Sequence, residues 1–82
     1  MSIFDFLLGR RGHHDGSSPE SAILVASVAE QYAFLKRHYP RFKLEEQTLQ
    51  RIDGKPYDVL VIFDDSGQKK SIYFDISQFF GK

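Results

Sequence analysis

The sequence predicts an α+β domain: one long helix packed on a three-stranded antiparallel meander (α-β-β-β), with a short amphipathic segment ahead of it. Three observations carry that expectation. Tyr57-Asp58 is followed by five consecutive apolar residues, Val59 to Phe63, with turn signals on both sides at Asp53-Gly54 and Asp64-Asp65-Ser66-Gly67. So apolar a run does not alternate between core and water, and it suits a central strand covered on both faces. Between Ser17 and Tyr39 apolar residues recur at helical spacing, and Ser71 to Ile76 alternates as a strand does.

Length and composition set the frame. Eighty-two residues make one small domain, residues 17–82, behind an N-terminal segment and linker, residues 1–16. A domain of this size buries a modest fraction of its surface, so a further contact would add appreciably to its stability. The chain holds no cysteine, which removes disulfides, thiolate metal sites and cysteine nucleophiles and favours a reducing compartment. Eleven basic and eleven acidic residues balance, so no global field draws in nucleic acid. No apolar stretch approaches the roughly 20 residues that span a bilayer, and no signal-peptide pattern is visible. A cytoplasmic location follows, with contact at the inner face of the membrane as the variant.

The helix is expected over 17–39. Ser18-Pro19 is a cap and first-turn pair, Ser17 with Glu20 offers an alternative capping box, and Pro40 stops the helix behind Lys36, Arg37 and His38. Val25, Val28, Tyr32, Leu35 and Tyr39 form one stripe, with Ala22, Ala26, Ala29 and Ala33 beside it; together they read as the core face. Ile23 and Phe34 fall off that face.

The first strand is expected over 42–52, with a bulge between Glu45 and Thr48 to reconcile Phe42, Leu44 and Ile52 with Leu49. Its polar middle, Glu45-Glu46-Gln47-Thr48, suits a sheet edge. Asp53-Gly54 predicts a two-residue hairpin into the central strand. For the next hairpin, a three-residue loop over Asp65-Ser66-Gly67 would set Val61 opposite Ser71 and Val59 opposite Tyr73. An even loop sets Val61 opposite Ile72 and Val59 opposite Phe74. The even loop gathers Tyr57, Val59, Val61, Phe63, Ile72, Phe74 and Ile76 under the helix, and is expected for that reason. Leu60, Ile62 and Tyr73 are then left on an uncovered face. Phe79-Phe80 is expected to fold back over the sheet in a turn that Ser77 could cap.

At the N-terminus, Ile3, Phe4, Leu7 and Leu8 share one helical face, with Phe6 nearby, Gly9 as a stop and Arg10-Arg11 at the negative helix end. A segment this short needs a surface to fold against. Residues 1–11 resemble the amphipathic membrane-targeting starts of peripheral bacterial membrane proteins, such as the cell-division topological specificity factors. The resemblance implies an interfacial anchor; packing on the protein's own domain or on a partner are the other two readings. Gly12 to Ser18 is a linker by composition.

Chemistry is sparse. His13-His14-Asp15 is poorly placed for one metal ion, and Gly9-Arg10-Arg11-Gly12 matches the backbone-gripping GXXG loop of KH domains without the strand that should precede it. Asp64-Asp65-Ser66-Gly67 lacks calcium-loop spacing and is better explained as turn chemistry. No nucleophile, base and orienting group come together, so catalysis, a cofactor and a small-molecule substrate are not expected. The leading expectation is a non-enzymatic protein-interaction or self-association module, a homodimer being one form of it. Its surface would draw on Ile3, Phe4, Phe6, Leu7, Leu8, Arg10, Arg11, Leu60, Ile62 and Tyr73. A membrane-associated module is the first alternative. A weak nucleic-acid binder using Arg10, Arg11, Lys36, Arg37 and Arg41 is the second.

Overall fold

The computed structural model describes residues 15–81. A 3₁₀ turn, Pro19–Ser21, leads to strand β1 (Ile23–Leu24), helix α1 (Val28–His38) and strands β2 (Lys43–Ile52), β3 (Lys55–Phe63) and β4 (Lys69–Asp75). The strands form one mixed sheet in the order β1-β4-β3-β2. The antiparallel meander β2-β3-β4 and the interior place of the Tyr57 strand are as expected, and the class is α+β. The sheet has a fourth strand that was not expected. β1 runs parallel to β4, with Ile23 beside Phe74 and Leu24 beside Asp75.

That strand exists because the single helix expected over 17–39 is broken. Ser18 caps a 3₁₀ turn only, closing a capping box with Ser21, and Ala22 then turns extended. A second cap starts α1. The Ser27 hydroxyl accepts the Glu30 N–H at 3.2 Å, while the Glu30 carboxylate accepts the Ala26 N–H at 2.7 Å. Between the two caps, Ile23, Leu24 and Val25 include two β-branched residues, which suit a strand better than a helix. The Val25 N–H completes the link by donating to the Asp75 carbonyl.

The three-residue loop is the one that forms. Val59 pairs with Tyr73 and Val61 with Ser71. Gly67 takes φ +86°, the left-handed residue of a three-residue hairpin loop. Asp64 Oδ1 fixes the turn by accepting from Ser66 N–H, Ser66 Oγ and Gln68 N–H. The expected faces of β3 are therefore exchanged, while Ile72, Phe74 and Ile76 lie under the helix as expected. Leu60 and Ile62, expected on an uncovered face, have 0% exposure and join Val25, Leu35, Ile72, Phe74 and Ile76 under the helix. Tyr57 and Val59, expected under the helix, are buried on the opposite face with Ala22 and beside Ile52 and Tyr73. β3 is apolar on both faces, so periodicity could not choose between the two registers; a backbone angle at Gly67 does.

The helix is rotated relative to the expected stripe. Gln31 and Leu35 point inward, and Phe34, expected off the core, meets Phe74 edge-on at 5.8 Å and 86°. Val28, Ala29 and Ala33, assigned to the core face from the sequence, are exposed. Beyond β4, the Phe79 and Phe80 N–H groups donate to the Ile76 carbonyl, and both rings pack on the core as expected.

Residues 15–18, expected to be solvated linker, are tied to the sheet. The Gly16 N–H donates to the Ser21 carbonyl and the Gly16 carbonyl accepts the Tyr73 N–H at 2.6 Å. Gly16 is buried at φ +80°, where a Cβ would stand 2.7 Å from Ile72 Cγ2.

Candidate interaction edge

Of the surface expected from the sequence, Ile3, Phe4, Phe6, Leu7, Leu8, Arg10 and Arg11 lie outside the described residues. Leu60 and Ile62 are core and offer no surface. Tyr73 is half-buried on the face away from the helix. Lys36 and Arg37 are exposed in the last turn of α1, and the Arg41 N–H donates to Asp65. No helix among the described residues is long and apolar enough to cross a membrane.

A different surface stands out at the outer edge of the sheet. β2 spans ten residues, pairs with β3 on one side and, among the described residues, has no strand on the other. A shift between Leu44 and Glu46 sets Glu45 as a bulge, at the first residue of the expected range. Glu45 is drawn toward Lys69, 3.7 Å away. From Glu46 to Ile52 the pairing with β3 is regular.

The hairpin at Asp53-Gly54 reveals which backbone groups of β2 are unpaired. Both residues have positive φ, +52° and +80°, as in a type I′ two-residue turn. In such a turn the flanking pair, Ile52 and Lys55, exchanges both hydrogen bonds, and the pattern then alternates along the ladder. Arg51 falls opposite Pro56, which has no N–H to offer, in agreement with that phase. Thr48, Gln50 and Ile52 therefore bond to β3, whereas Gln47, Leu49 and Arg51 direct N–H and C=O away from the sheet. Leu49 is also 56% exposed.

Behind this edge lies a buried polar cluster. Asp58 is opposite Leu49 on β3 and only 8% exposed. Gln31 Nε2 and Gln47 Nε2 each donate to Asp58 Oδ2 at 2.7 Å. Among the described residues, no hydrogen bond reaches Asp58 Oδ1 and no cation pairs with the carboxylate. Gln31 is fully buried, yet its Oε1 has no hydrogen-bond partner among the described residues. Burying a carboxylate without a counter-charge and an amide oxygen without a donor is unfavourable, so such groups call for a specific reason. From the sequence, Gln47 reads only as part of a polar edge strand and Asp58 only as one of the acids near the hairpins, for which turn chemistry is the better explanation, while nothing singles out Gln31. The available signal was Asp58 itself, an acid beside the apolar run of a strand expected to be buried on both faces.

Other hollows are framed by structural bonds. One of about 490 Å³ opens at the β3–β4 turn beside Arg41, Phe63, Asp64 and Asp65. Its two acids are already engaged, Asp64 with the turn and Asp65 with the Arg41 N–H, which agrees with the turn-chemistry reading. Among the described residues no three His, Cys, Asp or Glu side chains converge on a metal position. No protein-family model, curated protein or solved structure matches this chain.

Proposed function

We propose that this chain is a non-enzymatic interaction module that self-associates through β2. The observation that carries the reading is the phase of the β2 ladder: the N–H and C=O groups of Gln47, Leu49 and Arg51 point outward along a regular stretch with an exposed leucine at its middle. Unpaired edges of this kind template strand addition, and natural sheets blunt them with charges and bulges. Here the blunting lies in the N-terminal half, at Lys43, the Glu45 bulge and Glu46, and leaves Gln47 to Gln50 uncharged.

A second copy fits that edge better than a general partner because the stretch is self-complementary. Antiparallel pairing about a two-fold axis at Leu49 sets Leu49 against itself, Gln47 against Arg51, Thr48 against Gln50 and Glu46 against Ile52. No like charges meet, outward backbone groups face outward backbone groups, and pairing ends at the bulge on one side and the hairpin on the other. About six hydrogen bonds would cross the seam, two for each outward-facing pair.

Sedimentation of the full chain across a concentration series tests this. A monomer–dimer equilibrium that Leu49→Glu shifts to monomer is expected, because the substitution opposes two carboxylates at the axis. A wild-type chain that stays monomeric throughout, or a dimer indifferent to Leu49→Glu, overturns it.

A further inference from the structure

We infer that the hollow between β1 and α1 is the seat of this chain's own N-terminal apolar face, Ile3, Phe4, Leu7 and Leu8, docked antiparallel to α1. The site is separate from the β2 edge, which closes the other side of the sheet. Ile23, Val25, Ala33 and Phe34 frame the hollow, with Glu30, Arg37 and His38 on the helix beside them. Val25 is buried, Ile23 and Phe34 are half-buried and Ala33 is exposed. The volume is about 230 Å³. Small-molecule sites run to roughly 300–1,000 Å³, so an apolar hollow of this size suits side chains better than a substrate.

The path of the chain names the occupant. Gly16 stands against the hollow: a Cβ there would lie 2.8 Å from Ile23 Cδ1. Its carbonyl is held by the Tyr73 N–H, and Asp15 Oδ1 accepts from both the N–H and the hydroxyl of Ser17. The point from which the first fourteen residues lead off is thus fixed beside Ile23. Eight residues separate Leu8 from Gly16 and reach up to about 26 Å, against a length of roughly 16 Å for α1. Every part of the hollow lies within that reach. So short a tether keeps the segment at an effective concentration on the order of millimolar, which favours its own chain over a second copy in dilute solution. The nearer hollow at Asp15 is framed by Ser17, Lys70 and Ser71 and is too polar at its rim to compete. Six apolar residues or fewer do not hold a helix in water alone, whereas the half-buried Ile23 and Phe34 offer the surface such a segment needs.

The order of charges sets the direction. Along α1, Glu30 precedes Arg37 by two turns, about 10 Å. Along the segment, Asp5 precedes Arg10 and Arg11. Antiparallel docking sets Asp5 beside Arg37 and His38, and Arg10 and Arg11 beside Glu30; parallel docking would oppose like charges at both ends. Arg37 has no carboxylate partner among the described residues, so it is available to Asp5.

The test is NMR on the full chain with Ile, Leu, Val and Ala methyls labelled. Cross-peaks from Leu7 and Leu8 to Ile23, Val25 and Ala33 are expected, with relative intensities that do not change on dilution. Leu8→Asp should erase them and move the Ile23, Val25 and Ala33 signals, while Val59 on the far side of the sheet stays in place. Ala33→Glu, at an exposed helix position that keeps the fold, should erase them from the other side. In urea each variant should lower the midpoint, and the two together no further than the worse single, because both remove one contact. Arg37→Glu should restore the cross-peaks that Asp5→Arg weakens; a failure to do so overturns the antiparallel sense. Cross-peaks that are absent, or that fade on dilution as for a second copy, overturn the docking. So do segment signals that respond only to phosphatidylglycerol vesicles while the hollow is the same in wild type and Leu8→Asp, which would assign these residues to a membrane surface. Each of these outcomes leaves the β2 reading standing, since Leu49→Glu and sedimentation judge that edge separately.

Discussion

Single residues hold two of the turns that define this fold, and each has a measurable consequence. Gly16 combines φ +80° with a Cβ position 2.7 Å from Ile72 Cγ2 and 2.8 Å from Ile23 Cδ1. Gly16→Ala should therefore destabilise by about 1–3 kcal/mol through strain and overpacking together, seen as a lower urea midpoint at unchanged slope. Asp64 is held below the ordinary carboxylate range by the Ser66 hydroxyl first, then by the Gln68 N–H. Asp75 is also lowered: partial burial opposes its ionisation, but the two Ser77 donors and Lys55, 3.2 Å away, outweigh that. A depressed folded pKa contributes stability that is complete above the unfolded value, about 3.8, and is lost as pH falls through the folded one. Unfolding midpoints should thus be insensitive to these two groups at neutral pH and decline below about pH 4. Asp64→Asn keeps the side-chain acceptor but removes the titration, so its acid decline should be shallower than that of wild type. An identical decline in both would show that Asp64 does not contribute to it.

At the level of elements, the caps decide what periodicity left open. Ser27 and Glu30 start α1, so Ser27→Ala should lower stability by about 1 kcal/mol, measured by urea unfolding, while Ser17→Ala, at the other end of the expected helix, should have a much smaller effect. Why the helix boundary and the sheet register eluded the sequence is physical in both cases. The segment 17–39 contains two side-chain caps, Ser18 with Ser21 and Ser27 with Glu30, and the second marks the true start; its apolar spacing alone suggested one unbroken helix. β3 was legible as a buried central strand because Val59 to Phe63 has no polar residue, and the same property hid which side the helix covers. The Asp53-Gly54 hairpin was legible because its turn type demands those residues. The candidate edge was half legible. The polar middle of β2 pointed to an edge position, but Asp58, Gln31 and Gln47 become a set only once Gly67 has fixed the register. The proposed pairing at that edge has its own geometric check, since the chain has no native cysteine to interfere. Copies of Leu49→Cys would meet with Cα atoms about 5.5 Å apart, inside the range a disulfide spans. Copies of Gln47→Cys would lie four residues out of register, about 14 Å apart. Mild oxidation should therefore cross-link the first variant and spare the second. Equal cross-linking of both, or of neither, would sink the Leu49-centred register.

For the molecule as a whole, stability is expected to be graded across the sheet from its middle strands outward. β3 carries residues of both buried clusters, Leu60 and Ile62 under the helix and Tyr57 and Val59 on the far side, and β4 adds Ile72 and Phe74 to the first and packs Tyr73 against the second. β2 contributes one covered face at most, with Leu44 and Leu49 exposed, and β1 is two residues long. Amide exchange should follow this order, slowest in β3, because protection tracks the free energy of the opening that exposes each group. Within β2 a finer pattern is expected. Thr48, Gln50 and Ile52 donate into the ladder with β3 and should be protected at any protein concentration. Gln47, Leu49 and Arg51 donate outward, so in dilute solution they should exchange near the rate of an unfolded peptide. If two chains pair along this edge, those three amides alone should slow as concentration rises, in step with the dimer fraction measured by sedimentation. Protection that is uniform along β2 and independent of concentration would contradict the ladder phase deduced from the Asp53-Gly54 turn. Fast exchange at Gln47, Leu49 and Arg51 that persists in a sample known to be dimeric would keep the phase and move the interface elsewhere on the protein. Alternation plus concentration dependence, confined to these residues, is the one outcome that requires a second strand to lie against β2.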